Sequence, residues 1–347
     1  MLFSGVSWSA TGYEVEVVDG NGQQAMRPVR FGAGHIDEMI IYLGGIGPRL
    51  ITVVDSTCGI LDGRMMAAGL EVYRADPPVL PGRPRFGSVA AGDLALAAQR
   101  DLSNLVKLKG STGTQTGRER DLNAGIAASG AAVDALIASG RCLSHGGRDR
   151  DAVAITFDDG PQPPYTGQVL DILARYGVRA TFFCVGLNAS ACPDLVARIQ
   201  AEGHILGNHT WSHPFLPELS RVQLVEQIDR TDEAIARSSG GAATKLFRPP
   251  YGSRTPDVVS WLADIGSTVV LWDVEPDDWS MPGADTIAQV VLEQTRPGSI
   301  ILMHDGGGDR SQTVAALPAI IEGVLVRGLR FVTVDELVSA SRSYAGS

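Results

Sequence analysis

The chain has 347 residues, 44% of them hydrophobic, and a formal net charge of −10. That length fits one large or two medium domains, and the apolar share is ordinary for a globular protein. The acid excess excludes a basic nucleic-acid-binding face and gives no pull toward an anionic membrane, whereas a neutral glycan or a small amide fits it.

No apolar run reaches the roughly eighteen residues of a membrane span, so none is expected. The opening Met1, Leu2, Phe3, Ser4 and Gly5 lacks the basic segment and apolar core of a signal peptide, so it is not read as one. Residues 1–90 read as a β-rich, irregular region of unassigned role. Stretch 13–17 alternates polar and apolar residues, and 19–22 supplies turn residues. Stretches 39–43 and 50–54 are short apolar runs bounded by glycine, and 70–73 is a further strand candidate. Pro77, Pro78, Pro81 and Pro84 then break regular structure.

Residues 91–150 read as a helical connecting segment. Stretch 91–108 is rich in Ala and Leu, 110–117 is a Gly/Thr/Ser loop, and Leu122, Ile126, Val133, Leu136 and Ile137 fall near one face of a second helix. The polar stretch 143–150 is taken as the boundary. The four cysteines, Cys58, Cys142, Cys184 and Cys192, lack C-x-x-C spacing, so a thiolate zinc site is not expected. Cys184 and Cys192 suit either a local disulfide or two buried free thiols.

From residue 151 to 347 the pattern is regular. Strand candidates are 152–157, 180–185, 204–207, 245–248, 268–274, 299–304 and 330–334, with helical segments between them. The clearest helix covers 221–238: Ser220 and Gln223 have capping-box spacing, and Gly240-Gly241 ends it. Such alternation predicts an α/β domain with a parallel sheet, and seven strands suggest a barrel. Polar clusters fall where the strands end, which is where barrel enzymes carry their chemistry.

Asp158-Asp159-Gly160-Pro161 ends the first of these strands. It reads as a turn, or as two carboxylates bent toward one site. His209 and His213 are four apart, a spacing that places both on one helix face, although Pro214 disfavours helix at His213. Thr210 follows His209, so this is not the H-E-x-x-H signature. Two imidazoles and a carboxylate can hold a divalent metal with a coordination place left for water. Arg248-Pro249-Pro250-Tyr251-Gly252 and Glu275-Pro276-Asp277-Asp278-Trp279 end later strands. Met303-His304-Asp305 ends the sixth, where an aspartate beside a histidine supports a general acid. Each cluster alone reads equally as a loop. Their order at successive strand ends does not.

With these five clusters in order, residues 151–337 resemble the polysaccharide deacetylase (NodB-homology) domain, carbohydrate esterase family 4. Residues 156–160 match its first motif. Residues 209–213 match the second, H-[ST]-x-x-H, and 248–252 match the third, R-P-P-Y-G, in full. Residues 275–279 match the fourth, D-x-x-D-W, with Glu275 at its head, and 302–305 match the fifth with Met303 where leucine is common. The resemblance implies a distorted (β/α)7 barrel in which Asp159, His209 and His213 bind a divalent metal, usually zinc, with cobalt or another divalent ion as the alternative. It implies that Asp158 is the general base, held ionised by Arg248, and that His304 is the general acid. Asp278 would serve proton transfer, Tyr251 would give its backbone N–H to the oxyanion, and Trp279 would line the groove.

The implied activity is metal-dependent N-deacetylation of an N-acetylglucosamine glycan, chitin oligomers or peptidoglycan, with release of acetate. Within the family the alternative is an acetyl-xylan esterase. Outside it the alternatives are a cyclic-amide hydrolase or a non-catalytic glycan-binding module. Secretion or cell-wall association is implied by the resemblance, and the missing signal peptide leaves a cytoplasmic site open.

Overall fold

A computed structural model of the chain describes residues 1–9, 12–32, 35–55, 65, 68–75, 89–107, 124–241 and 244–342. Cys58, the four prolines between 77 and 84, the loop 110–117 and Leu122 lie outside these described residues. Two units are present, Met1–Arg118 and Glu119–Ser347.

The first unit is built on a six-stranded sheet of order β3-β2-β1-β4-β5-β6. Its strands are β1 (Leu2–Ser9), β2 (Gly12–Val18), β3 (Gln24–Gly32), β4 (Leu50–Val54), β5 (Glu71–Arg74) and β6 (Val106–Lys107). Helices α1 (Ile36–Ile46) and α2 (Ala91–Arg100) complete it. Alternation along the strands sends side chains to two faces. Val6, Val15 and Val17 pack with Met39, Ile40 and Leu43 of α1. Phe3, Val18, Ile51 and Val53 pack with Leu94, Ala95 and Ala98 of α2. Run 39–43 is therefore helical, with Ile41 left 74% exposed on the outer face. Helix α2 ends at Arg100, short of the expected 108. Asp101 is extended there and its side chain accepts from the Ser103 N–H, starting a separate turn.

The second unit carries an all-parallel sheet of order β13-β8-β9-β10-β11-β12-β7, with β14 paired to β8. Its strands are β7 (Cys142–Leu143), β8 (Ala152–Asp158), β9 (Thr181–Cys184), β10 (Ile205–Asn208), β11 (Leu246–Phe247), β12 (Thr268–Val270), β13 (Ile300–His304) and β14 (Arg330–Phe331). All seven expected strands are present, and β7 is an addition. Among the described residues, isolated bridges join the two ends of the sheet, His145 with Ser299 and Val274 with Ile301. This is a distorted barrel of the (β/α)7 kind. The helices are α3 (Gly130–Ala138), α4 (Tyr165–Tyr176), α5 (Gly186–Ala191), α6 (Pro193–Ala201), α7 (Arg221–Ser239), α8 (Pro256–Asp264), α9 (Ala284–Gln294), α10 (Ser311–Val326) and α11 (Val334–Arg342). Every residue of β8 is buried, as a strand covered on both faces requires. Because all the strands run the same way, their carboxyl ends share one side of the barrel.

Cys142, Cys184 and Cys192 are buried free thiols, so Cys184 and Cys192 take the second of their two readings. Burial pushes the Cys192 thiol up to about 12 and keeps it unreactive.

The capping box on α7 is formed: Ser220 Oγ accepts from the Gln223 N–H, and the Gln223 side chain accepts from the Ser220 N–H. Ser220→Ala is expected to cost about 1 kcal/mol, read as a lower denaturant midpoint for the second unit with unchanged activity at low temperature.

Candidate active site

Strand β8 delivers Asp158 as its last residue, and Asp159 follows with a left-handed φ of 74°. That turn out of the strand lets two neighbouring carboxylates serve one site. Strand β10 ends at Asn208, and Asn208 Oδ1 accepts from the Thr210 N–H at 2.8 Å across the next turn. Thr210 (φ 68°) and His213 (φ 56°) are also left-handed, so 209–213 is not helical. The two histidines converge through a tight loop, not by helical spacing, and their ring centroids lie 4.8 Å apart.

One ligand atom each from Asp159, His209 and His213 lies within 4.8 Å of the others, and all three residues are buried. Asp159 Oδ1 is 3.5 Å from His209 Nε2 and 3.2 Å from His213 Nε2. Within the protein that oxygen is buried without a hydrogen-bond partner, a costly state unless something else meets it. His209 Nδ1–H donates to the Arg248 carbonyl at 2.7 Å, which leaves Nε2 to face Asp159. Burial, and then the neighbouring His213, hold His209 well below the usual histidine range, so it is neutral, as a ligand must be. These residues fit a divalent cation.

Arg248 follows β11 and is fully buried. Its Nη1 donates to Asp158 Oδ1 at 2.8 Å and to Thr156 Oγ1 at 2.7 Å. Its Nε and Nη2 donate to the carbonyls of Val270 and Leu271 at 3.1 and 3.3 Å. Asp158 Oδ2 is left facing the cluster, 3.6 Å from His209 Nε2. Burial pushes Asp158 up to about 6, with Arg248 holding it from going higher.

At the end of β13, in register with Asp158 on the adjacent strand, His304 Nδ1–H donates to Asp278 Oδ1 at 2.7 Å. Asp278 Oδ2 accepts from the His304 N–H at 2.9 Å and from Thr313 Oγ1 at 2.7 Å. Burial opposes the imidazolium, but Asp278 overrides it by charge and hydrogen bond and pushes His304 up to about 9. The carboxylate that supports His304 is thus Asp278, not its chain neighbour Asp305. Sequence adjacency is the wrong guide, because His304 ends β13 and Asp305 opens the bend that follows. Asp305 turns away to Thr166 at 2.6 Å.

Tyr251 sits in the 250–252 turn with φ 60°, its ring edge-on to His213 at 4.6 Å between centroids. Trp279 is 42% exposed at the rim, one residue after Asp278. Glu275 accepts from Trp272 Nε1 at 2.7 Å, so its extra methylene is spent on an indole outside the ligand cluster. Reasoning from sequence missed three supports: Thr156 under Arg248, Thr313 under Asp278, and Asn188, whose Nδ2 donates to the Asp159 carbonyl at 2.7 Å. Asn188 and Thr313 lie outside the five motifs, and Thr156 opens the first of them without any local sign of the guanidinium it meets; each reaches in from a different element.

The family model described as polysaccharide deacetylase matches residues 145–270. A chitooligosaccharide deacetylase from Sinorhizobium fredii is 41% identical over 198 residues, covering 54% of this chain and 92% of the relative. A peptidoglycan-N-acetylglucosamine deacetylase from Bacillus cereus is 41% identical over 191 residues, covering 55% of this chain and 69% of the relative. Among solved structures, the Bc1960 peptidoglycan N-acetylglucosamine deacetylase in complex with an N-oxidanyl-benzamide compound superimposes with a TM-score of 0.57. It shows 38% identity and covers 58% of this chain and 95% of that one.

Asp159→Ala, His209→Ala and His213→Ala should each lose the bound divalent cation and the activity together. Metal content after gel filtration, set beside turnover, checks this; a fully loaded His209→Ala/His213→Ala double variant would refute the ligand set.

Proposed function

This chain belongs to the polysaccharide deacetylase family, carbohydrate esterase family 4, and we propose that it is a metal-dependent N-deacetylase of N-acetylglucosamine-containing glycan, with chitin oligomers or peptidoglycan as substrate and acetate as product. The observation that carries this reading is one arrangement. A buried Asp/His/His group that could hold a metal shares the strand ends with a carboxylate clamped by a buried guanidinium and a histidine clamped by a buried carboxylate.

Zinc is the proposed metal, since two imidazole nitrogens and one carboxylate oxygen form a donor set that suits it. When bound, the cation supplies Lewis acidity, polarising the acetamide carbonyl and lowering the pKa of water from ~15.7 to about 7. The protein's own groups do the rest. Arg248 occupies Asp158 Oδ1, so Oδ2, the oxygen turned toward the cluster, takes the proton of the attacking water. The Tyr251 N–H, in the turn where that residue is left-handed, is assigned to the oxygen that gains charge; one such donor is typically worth ~3 kcal/mol. With Nδ1 bound to Asp278, His304 keeps its Nε2 proton for the departing amine, which is too basic to leave as an anion. Trp279 offers an apolar face at the rim for a sugar ring.

No described helix is long and apolar enough to cross a membrane. A peptidoglycan substrate would place the protein's work at the cell wall.

Acetate release from chitin oligomers and from peptidoglycan, with and without a chelator, tests the reading. Activity that survives complete metal removal would sink it. Asp158→Asn should keep the metal and lose about 10²- to 10⁴-fold in kcat, because only the base is removed. Wild-type turnover in that variant would move the base elsewhere.

The pH–rate profile follows from the two clamped groups. Asp158 must be ionised, so kcat/KM should rise through about 6, or lower once a cation adds to the pull of Arg248. His304 must be protonated, so the rate should fall through about 9. Asp278→Asn removes the charge that holds the imidazolium and should move only the alkaline limb, to lower pH.

A further inference from the structure

Asp305 is fully buried beside the site, yet it is neither a ligand nor the support of His304. Its backbone N–H donates to the Asp158 carbonyl at 3.1 Å. Its Oδ2 accepts from Thr166 Oγ1 at 2.6 Å, and Thr166 Oγ1 in turn accepts from the Gln162 N–H at 2.7 Å. The carboxylate therefore stands against the turn that follows Asp159. A Cβ placed on Gly160 would lie 2.2 Å from Asp305 Oδ2 and 2.4 Å from Oδ1. A Cβ on Gly306 would lie 2.6 Å from the Asp159 carbonyl carbon. Only glycine at both positions lets the 305–306 backbone and the 159–160 backbone close on each other.

Asp159 needs this support. Its φ of 74° lies in the left-handed region, where a side chain other than glycine is strained and persists only if its surroundings hold it. Asn188 grips the Asp159 carbonyl, and the Val185 N–H donates to the Gly160 carbonyl at 3.0 Å. Those two bonds come from the β9 side of the turn. Asp305 and Thr166 close it from the β13 and α4 sides.

We propose that Asp305, braced by Thr166, is a positioning residue for the metal cluster: it fills the space left open by Gly160 and locks the left-handed Asp159, so that Oδ1 stays between the two histidines. The proposal rests on the ligand assignment made above. It concerns shape and hydrogen bonding around the turn, and it assigns Asp305 no contact with substrate.

The test measures Zn2+ dissociation constants by competition with a chromophoric chelator, beside kcat and KM on a chitin oligomer. Asp305→Ala should weaken zinc binding by about 10- to 100-fold, the usual cost of losing a group that orients a ligand. At saturating zinc, kcat should fall and KM should hold. Thr166→Val removes only the brace and should weaken zinc about 3-fold or more, in line with one lost hydrogen bond. It also decides the matter if Asp305→Ala does not fold. Gly160→Ala should weaken zinc in the wild-type background, whereas in Asp305→Ala the obstructing carboxylate is gone and the added methyl should cost little more. A role in general stability alone would give additive losses in melting temperature with zinc affinity unmoved. Wild-type zinc affinity in both Asp305→Ala and Thr166→Val overturns the proposal, provided that His213→Ala loses the metal. Zinc retained by His213→Ala would instead overturn the ligand assignment and the proposal with it.

Discussion

A guanidinium sealed from water must place its donors inside the protein, and Arg248 does so on partners drawn from separate strands. Thr156 and Asp158 belong to β8, Val270 ends β12, and Leu271 follows it. Strands β8 and β11 are not neighbours in the sheet, so the side chain that follows β11 reaches across the barrel interior. Phe183 of β9 lies under the guanidinium, 4.2 Å from ring centroid to Cζ. A charge held this way leaves little freedom in how these strands meet. Removing either partner of such a pair strands the other in a dry interior at a cost of about 3–5 kcal/mol. The residue that clamps Asp158, the proposed base, also accepts from His209 Nδ1–H at its carbonyl and so selects that ring's tautomer. Base and ligand geometry are therefore coupled through one residue.

Strain is concentrated at the same end of the molecule. Among the described residues, the non-glycine positions with left-handed backbone are Asp159, Thr210, His213, Tyr251, Asp277 and Met281. Two belong to the proposed ligand set, one carries the proposed oxyanion donor, and Thr210, Asp277 and Met281 lie within two residues of His209, Asp278 or Trp279. Each such residue costs of order 1–3 kcal/mol, so their confinement to the strand-end loops marks the place where geometry is held against preference. The surrounding barrel, with both faces of its strands covered, is what holds it.

That division explains what could be read in advance. Strands such as β8, β9 and β13 are legible because each is an apolar run ended by polar residues, the pattern of a strand buried on both faces. Strand β7 was not legible: Cys142–Leu143 is two residues long in a polar setting, and its identity comes from pairing with Val269 and Val270. In the first unit, 39–43 is too short for periodicity to separate helix from strand, and burial of Met39, Ile40 and Leu43 against the sheet decided it. In the site, the proposed ligands, Asp158, Arg248 and His304 are visible as motifs. Their supports are not. Asn188 and Thr313 lie outside the motifs, and Thr156, though it opens the first, takes up its role only when Arg248 arrives from a distant strand. The neighbour of His304 is a false local cue, since the strand ends at His304 and the bend after it turns Asp305 to Thr166.

The ring of strands closes through two isolated bridges, between residues 145 and 299 and between 274 and 301. A chain that leaves the ribosome from its amino end presents Asp159, His209 and His213 before Arg248, whose carbonyl orients His209. His304 and Asp305 come last, at the end of the strand that shuts the ring and in the bend after it. The three side chains of the cluster are therefore made well before the partners that fix their geometry. Because that final pairing spans so much sequence, joining it is the slow, long-range part of assembly.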